Sequence, residues 1–229
     1  NLRPIDLPNE AWKDFWRGFT IRDSSLQKTN QSNYFQVLPI RQTIALNTKR
    51  PYGWGNGPML PNVGVQTYTS AGISIKFSIL RIQLAPEFVY LQNRPFQGFS
   101  GEFPESVNRA RFFYWRFGDY PERFGTESMT IPWWGQSKIT LQAGFLEAGI
   151  STENIHWGPG QFSSLTFSNN ARSFPHLTLR SRRPAKTFLG DFEGEIIVGR
   201  LEDSGLFPSQ LPDLNNRLAN RFTGDYKYL

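Results

Sequence analysis

Hydrophobic and polar residues alternate with a period of two along much of the chain after residue 70. In AGISIKFS (71–78) the larger apolar side chains stand at odd positions, whereas in RIQLAPEFVYLQ (81–92) they stand at even positions. Successive side chains of a strand point to opposite faces. When the apolar positions change from odd to even, they stay on one face of the sheet only if the chain reverses at that point. The change at Ile79-Leu80 therefore predicts two antiparallel strands joined by a tight two-residue hairpin.

Two later segments repeat this pattern. The alternation of KITLQA (138–143) breaks at Gly144-Phe145 and then resumes, and a third hairpin is predicted at Leu189-Gly190-Asp191. The strands run to roughly ten residues, longer than the usual five or six and about the length that crosses a bilayer when tilted. A soluble sandwich with one wet face has the same alternation, so the pattern alone leaves both folds open.

The predicted connections differ in length at the two ends of the strands. Turns at one end are very short, and the long aromatic, Gly- and Pro-rich connections at the other end are 48–64, 93–110, 117–136, 157–173 and 203–225. This asymmetry is typical of outer-membrane barrels. Aromatic residues predicted near strand ends, where an interfacial girdle would lie, are Tyr34, Tyr68, Tyr90, Trp115, Trp133, Trp134 and Trp157.

These patterns predict an all-β antiparallel fold, either a transmembrane β-barrel or a soluble sandwich. It is preceded by a short N-terminal helical segment, because NEAWKDFWRGF (9–19) places its aromatic residues at helical spacing.

Composition narrows the class of protein. Hydrophobic residues make up 38% and aromatic residues 15%, which excludes a disordered chain. A run of about eighteen apolar residues, as a transmembrane helix needs, does not occur. The net charge of +6 suits an anionic lipid or polysaccharide surface as well as nucleic acid. The densest basic cluster, LRSRRPAK (179–186), is short and alternates like a strand, so we expect no nucleic-acid partner.

The sequence offers no pattern for metal binding or catalysis. It has no cysteine, and its two histidines, His156 and His176, do not have the spacing of metal ligands. It lacks a GxSxG nucleophile elbow, and GWGNG (53–57) lacks the lysine of a phosphate-binding loop. Glu193 and Glu195 share one strand face and are interpreted as a polar barrel lining. We expect no enzyme activity, no cofactor and no metal.

Saccharide binding is better supported, because it combines aromatic stacking with polar groups that bond hydroxyls. Two loops carry both elements, and the candidate residues are Tyr52, Trp54 and Asn56 in one and Trp157, Asn169 and Asn170 in the other. RARFFYWRFGDYPERFG (109–125) interleaves arginine with aromatic residues, which allows cation–π stacking. The alternative for each loop is that its aromatic residues only anchor a turn. Gly158, Pro159 and Gly160 are expected to form the turn that follows Trp157.

Several segments together resemble the capsule assembly Wzi family, in the form found in Bacteroidetes-type bacteria. They are PYGWGNGPMLPNVGVQT (51–67), RIQLAPEFVYLQN (81–93), YPERFG (120–125), GQSKITLQAG (135–144), ISTENIHWGPG (150–160), SNNARSFPHLTL (168–179) and GDFEGEIIVGRLEDSG (190–205). The resemblance runs from about residue 34 to the end. Where the family commonly has WWGPG, this chain has His156 before the remaining Trp-Gly-Pro-Gly.

The resemblance implies a bacterial outer-membrane barrel of about eighteen strands that organises surface polysaccharide as a lectin-like protein and not as an enzyme. The pattern here provides about half of those strands, and the tail LPDLNNRLANRFTGDYKYL shows no alternating strand. We therefore expect residues 1–30 to be a helical, periplasmic segment and residues 31–229 to be the N-terminal half of the barrel.

The expected partners are surface polysaccharide or lipopolysaccharide and outer-membrane lipid. An alternative function is a structural or accessory barrel subunit of an envelope complex, such as a secretion or gliding machine, which would add other envelope proteins as partners. A passive channel is a third alternative, and it requires an open lumen.

Overall fold

The computed structural model describes residues 33–53, 57–155, 167, 171–183, 185–188, 190–218 and 226–228. The strands in these residues are β1 (Asn33–Tyr52), β2 (Asn62–Phe77), β3 (Leu80–Leu84), β4 (Glu87–Leu91), β5 (Met129–Trp133), β6 (Lys138–Ala143), β7 (Leu146–Ser151), β8 (His176–Ser181), β9 (Ala185–Thr187), β10 (Gly190–Phe192), β11 (Glu195–Glu202) and β12 (Tyr226–Tyr228). The helices are α1 (Glu105–Phe117) and α2 (Pro212–Leu218). The expected N-terminal helical segment, 1–30, lies outside the described residues.

The strands form an antiparallel meander in which two long strand runs are each interrupted. β3 and β4 make up the first run, and β5 and β6 make up the second. β3 and β4 pair with successive halves of β2 on the same side, and β6 and β5 pair with β3 and β4 in turn. The first run is interrupted at Ala85-Pro86, where proline removes a backbone donor from the ladder. β7, β8, β11 and β12 follow in order, each antiparallel to the last. Within the described residues this sheet is open, because β1 pairs with β2 alone.

The two-residue hairpins lie at one end of the sheet. Gly144-Phe145 joins the paired residues Ala143 and Leu146, as predicted. The first hairpin is one residue earlier than predicted, since Phe77 pairs with Leu80 and the turn is Ser78-Ile79. Ser78 and Gly144 both have a positive φ, 53° and 57°, as the turns of such hairpins require.

The third hairpin joins β8 to β11 and carries β9 and β10 as a separate two-stranded extension. Thr187 pairs with Gly190, so Gly190 and Asp191 belong to β10. The prediction of a turn on Leu189-Gly190-Asp191 is therefore wrong for the last two of these residues.

The long connections all leave from the opposite end of the sheet, which confirms the predicted asymmetry. They span residues 53–61, 92–128, 152–175 and 203–225. The expected loops 93–110 and 117–136 are parts of one connection, which contains α1 and then runs into β5. The tail, expected to lack a strand, ends in the short β12, whose Tyr226 pairs with Glu202 of β11.

The sheet buries its polar face and exposes its apolar face. Along β6, Lys138 and Thr140 are 4% and 0% exposed, whereas Ile139 and Leu141 are 52% and 54% exposed. Other buried polar residues of the strands are Gln66, Ser70, Ser74, Glu87, Gln142, Glu147, Ser151, His176 and Thr178. Other exposed apolar residues are Phe35, Val37, Ile44, Phe77, Phe88, Ile150, Leu177, Leu179, Ile196 and Val198.

This is the reverse of a soluble sandwich, which buries its apolar face. It is the alternation of a barrel that faces lipid, with polar residues inside. β4 is an exception, because its Val89 and Leu91 lie on the buried face.

The predicted aromatic girdle is only partly right. Tyr90 and Trp134 are exposed, but the Tyr68 hydroxyl bonds buried Glu87 and Trp115 is buried in α1. The exposed aromatic residues of the strands and short turns are mostly phenylalanines: Phe35, Phe77, Phe88, Phe145 and Phe192. Trp157 lies outside the described residues.

α1 and α2 pack on each other at the long-loop end of the sheet. Their shared core is Phe112, Leu214 and Leu218. Arg217 bridges them by an ion pair with Glu105 at 3.1 Å. Neither helix among the described residues has the length and apolarity needed to cross a membrane.

Candidate functional site

The candidate site is the junction between β5 and β6, against which the connection 152–175 begins. Gly135 has φ +58°, and a Cβ placed there would lie 2.3 Å from the carbonyl oxygen of Ala85. Only glycine allows both this backbone conformation and this close approach. The β5–β6 run therefore passes directly beside the interruption between β3 and β4.

Three hydrogen bonds hold the first residues of the connection on this junction. Thr152 donates its backbone N–H to the Ser137 carbonyl at 2.8 Å and its hydroxyl to the Gly135 carbonyl at 2.8 Å. The backbone N–H of Asn154 donates to Gln136 Oε1 at 3.0 Å. The chain is thus fixed immediately before the Trp157 loop starts.

A buried ion pair lies under these contacts. Lys138 Nζ is 2.6 Å from Glu153 Oε2, and Gln83 Nε2 donates to Glu153 Oε1 at 2.9 Å. Burial opposes ionisation of Glu153, which lies beyond the end of β7, but the ammonium of Lys138 outweighs it and keeps the pKa of this carboxyl below its ordinary value. Both carboxylate oxygens are bonded, so the charge is well compensated.

A second pair continues the network along the polar face. Arg180 Nη2 is 2.7 Å from Glu147 Oε1, and Gln142 Nε2 donates to Glu147 Oε2 at 2.8 Å. The cavity between the two ion pairs measures about 20 Å³, enough for about one water molecule.

His176 lies on the same buried face, at the start of β8. Its Nδ1 donates to the Phe174 carbonyl at 2.9 Å, and its ring contacts the Phe174 ring. In the described part of the chain there is no group of three or more His, Cys, Asp or Glu residues that could hold a metal ion.

The far end of the connection is also attached to the sheet. Trp133 Nε1 donates to Ser173 Oγ at 3.0 Å, and the Arg172 guanidinium lies 4.3 Å from the centre of the Trp133 indole. Both stems of the connection are therefore held by the β5–β6 run.

Most of the predicted saccharide residues lie outside the described residues. These are Trp54, Asn56, Trp157, Asn169 and Asn170, and the turn residues Gly158, Pro159 and Gly160 lie outside them as well. Tyr52 is described: it ends β1 with its side chain 73% exposed, and its carbonyl accepts a bond from Asn47 Nδ2 at 2.8 Å. The loops that carry the two candidate groups leave from the same end of the sheet.

The third aromatic segment, 109–125, was expected to be a loop and is largely α1. Its continuation, YPERFG (120–125), is a structural connector. Glu122 accepts the backbone N–H of Phe99 and of Gln210, which joins the connection 92–128 to the connection 203–225. Burial raises the pKa of Tyr120 in this connector to about 12.

Asn93 holds the base of this connection. It has φ 49°, and its Nδ2 donates to the carbonyls of Phe124, Gly125 and Glu127 at 2.8–3.1 Å. Arg123 Nη2 donates back to the Asn93 carbonyl at 2.7 Å. Sequence reasoning missed this clamp, although an asparagine directly after a strand is a common signal for a left-handed residue.

A family model described as capsule assembly protein Wzi matches residues 132–223. The match includes β6 to β11, the junction at Gly135 and both ion pairs, and it confirms the predicted resemblance over this part of the chain. No curated protein and no solved structure matches the chain.

Proposed function

We propose, from the capsule assembly match over residues 132–223, that this chain spans the bacterial outer membrane and that its long-loop end binds or organises surface polysaccharide. The role is lectin-like binding and not catalysis. Polysaccharide or lipopolysaccharide is the ligand, and the connections 53–61 and 152–175 carry the residues that contact it.

The reversed burial of the sheet is the observation that carries the membrane placement. Ile139 and Leu141 on β6, and Val198 on β11, are each more than half exposed. Water-soluble monomers rarely expose a continuous apolar surface of this kind. Lipid, in contrast, requires it on the outer face of a barrel.

The long-loop end suits a binding role because its loops start from fixed positions. The connection 152–175 is held at both stems, by Thr152 on the junction and by Ser173 on Trp133. In bacterial barrels the longer loops are extracellular. Trp157 and Trp54 would then lie where a surface polysaccharide is reached, with amide side chains in the same loops.

Replacement of Trp157 and Trp54 by alanine tests the binding role. We expect cells that carry the double variant to retain less capsular polysaccharide, while the variant still reaches the outer membrane in normal amounts. Phe188→Ala is the matched control, because this side chain is 96% exposed on the short-turn side of the sheet. Unchanged retention with both tryptophans replaced would contradict the saccharide role.

A structural role in an envelope complex is the second candidate, and the β9–β10 extension favours it. All six residues of its two strands are exposed, and Phe188 stands at its tip outside the main sheet. If this extension binds other envelope proteins, they should co-purify in mild detergent and be lost with Phe188→Ala. Isolation of a single barrel under every detergent condition would exclude this role.

A passive channel is the third candidate, and it requires an open lumen. Planar-bilayer conductance tests this alternative. A steady, ion-selective current from the purified protein would favour it over the binding role.

A further inference from the structure

α1 has two apolar faces, and only one of them is covered. Phe112 and Trp115 are buried, and Phe112 packs against α2. A second stripe is exposed along the opposite side, and its members are Val107, Ala110, Tyr114 and Phe117. The spacing of three, four and three residues places these side chains in one row along the helix.

One arginine lies directly beside this exposed stripe, and a second lies further round the helix on the other side. At 100° per residue, Arg111 lies beside Val107 and Tyr114 on one edge. On the other edge Phe113 borders Phe117, and Arg109 lies beyond Phe113. The carboxylate of α1, Glu105, lies on neither edge and is paired with Arg217. The face is therefore aromatic along its middle, with one cation at its margin and another beyond the opposite margin.

The contacts of Arg111 fix it in this position. Its guanidinium lies 3.8 Å from the centre of the Phe99 ring and 5.0 Å from that of Phe103. Both rings are about half exposed, so they extend the aromatic surface beyond the helix. Cation–π stacking orients the guanidinium plane and leaves its edge suited to phosphate oxygens.

A helix with exposed aromatic residues between arginines is the pattern of an element that lies in a membrane interface. The connection that contains α1 starts from β4, whose Phe88 and Tyr90 are exposed on the apolar face of the sheet. It also lies at the end where the proposed function places the outer leaflet. This leaflet consists of a phosphorylated glycolipid, whose charge is opposite to that of the arginines.

We propose that the Val107–Phe117 face of α1 docks on the phosphate-bearing glycolipid of the outer leaflet, with the aromatic stripe inserted and Arg109 and Arg111 at the phosphates. This inference rests on the proposed membrane placement. It adds to that placement a lipid-specific contact outside the sheet.

Fluorophores attached to single cysteines test the docking, because the chain has no cysteine of its own. Ala110→Cys reports on α1, and Ile139→Cys reports on the apolar face of the sheet. The full-length protein is placed in bilayers of brominated phosphatidylcholine, with or without bisphosphorylated lipid A. We expect the bromine atoms to quench the Ile139 probe in both bilayers, and the Ala110 probe strongly only when lipid A is present.

The stripe and its charges are tested separately. Tyr114→Ser with Phe117→Ser should abolish quenching of the Ala110 probe, whereas the control Phe188→Ser should not change it. Arg109→Gln and Arg111→Gln should each shift the docked fraction about fivefold toward the undocked state. Arg109→Lys should retain most of the docked fraction and Arg111→Lys less, because the Arg111 guanidinium is stacked on Phe99.

The outcomes separate this inference from the proposed function. If the Ile139 probe is quenched but the Ala110 probe is not, the docking is wrong and the membrane placement remains. If neither is quenched, both are wrong. The docking would also be overturned if purified polysaccharide or a co-purified protein shielded the Ala110 probe from water and lipid A did not.

Discussion

Two glycines with nearly the same backbone conformation have different surroundings. Gly135 and Gly144 have φ of +58° and +57°, but a Cβ at Gly135 would meet the Ala85 carbonyl and the Glu87 side chain, whereas one at Gly144 would meet nothing within 4 Å. The left-handed conformation alone costs an alanine about 1–2 kcal/mol. The difference in stability loss between alanine at position 135 and alanine at position 144 therefore measures the cost of the close contact between Gly135 and the Ala85 carbonyl.

Gly135→Ala should lower the free energy of unfolding by clearly more than Gly144→Ala does. We expect about 1 kcal/mol for Gly144→Ala, from the backbone term alone, and about 3 kcal/mol or more for Gly135→Ala, because the backbone must also move. Urea unfolding of the protein in bilayers, followed by intrinsic tryptophan fluorescence, measures both. Equal losses would show that the junction tolerates a side chain.

The Lys138–Glu153 pair gives a second prediction at this scale. Lys138→Met leaves a buried carboxylate without its cation, so we expect a loss of about 3–5 kcal/mol in stability. Combining it with Glu153→Gln should recover part of this loss. Arg217→Met is the control, because its partners are exposed and its loss should lower stability far less. Strictly additive losses in the double variant would contradict a coupled pair.

At the scale of elements, the strands were easier to predict than the helices. The parity changes located two hairpins to within one residue. The apolar side chains of two paired strands stay on one face of the sheet only if the turn lies where the parity changes. α1 was missed because both of its sides are apolar. With Phe112 and Trp115 on one side and Tyr114 and Phe117 on the other, RARFFYWRF shows no clear helical period.

The candidate site could be predicted only in part, because spacing shows which face a residue lies on but not which residue it contacts. The alternation of KITLQA (138–143) places Lys138 and Thr140 on one strand face, and the structure buries both. The partner of each charge depends on strand register and on the bend at Gly135, neither of which is readable from spacing. The saccharide residues remain predictions, apart from the position of Tyr52.

The exposed apolar face makes a prediction at the element scale. Ile139→Arg places a charge on the surface that we propose contacts lipid, and it should reduce membrane insertion by up to about 2–4 kcal/mol, depending on depth. Phe188→Arg, on the exposed extension, should have little effect. The heat-modifiable shift of the folded barrel on gels measures insertion, and normal insertion of Ile139→Arg would exclude a lipid-facing position.

The molecule as a whole has one end of short turns and one end of long connections, and this could be predicted because turn length is visible in the sequence. The direction of burial could not be predicted, since a soluble sandwich and a barrel alternate identically. The exposures of Ile139 and Thr140 decide between them.

The two ends should lie on opposite sides of the outer membrane. Glu102→Cys, in the connection 92–128, should react with a membrane-impermeant maleimide on intact cells. Arg183→Cys, beside the β9–β10 extension, should react only after the outer membrane is permeabilised. Both positions are exposed, so accessibility in the folded protein is matched. Labelling of Arg183→Cys on intact cells would reverse the proposed orientation.

The separation of short turns from long connections also determines how such a chain can diverge. One residue inserted at Ser78-Ile79 without a compensating bulge would shift the β2–β3 register and move the polar side chains of β3 to the apolar face. Doubling the length of the connection 53–61 costs only about 0.6 kcal/mol in closure entropy and leaves the register intact. Extra length therefore costs little in the long connections, whereas in a two-residue turn it disturbs the strand register. If the long connections bind surface sugars as proposed, they can diverge with those sugars while the sheet stays the same.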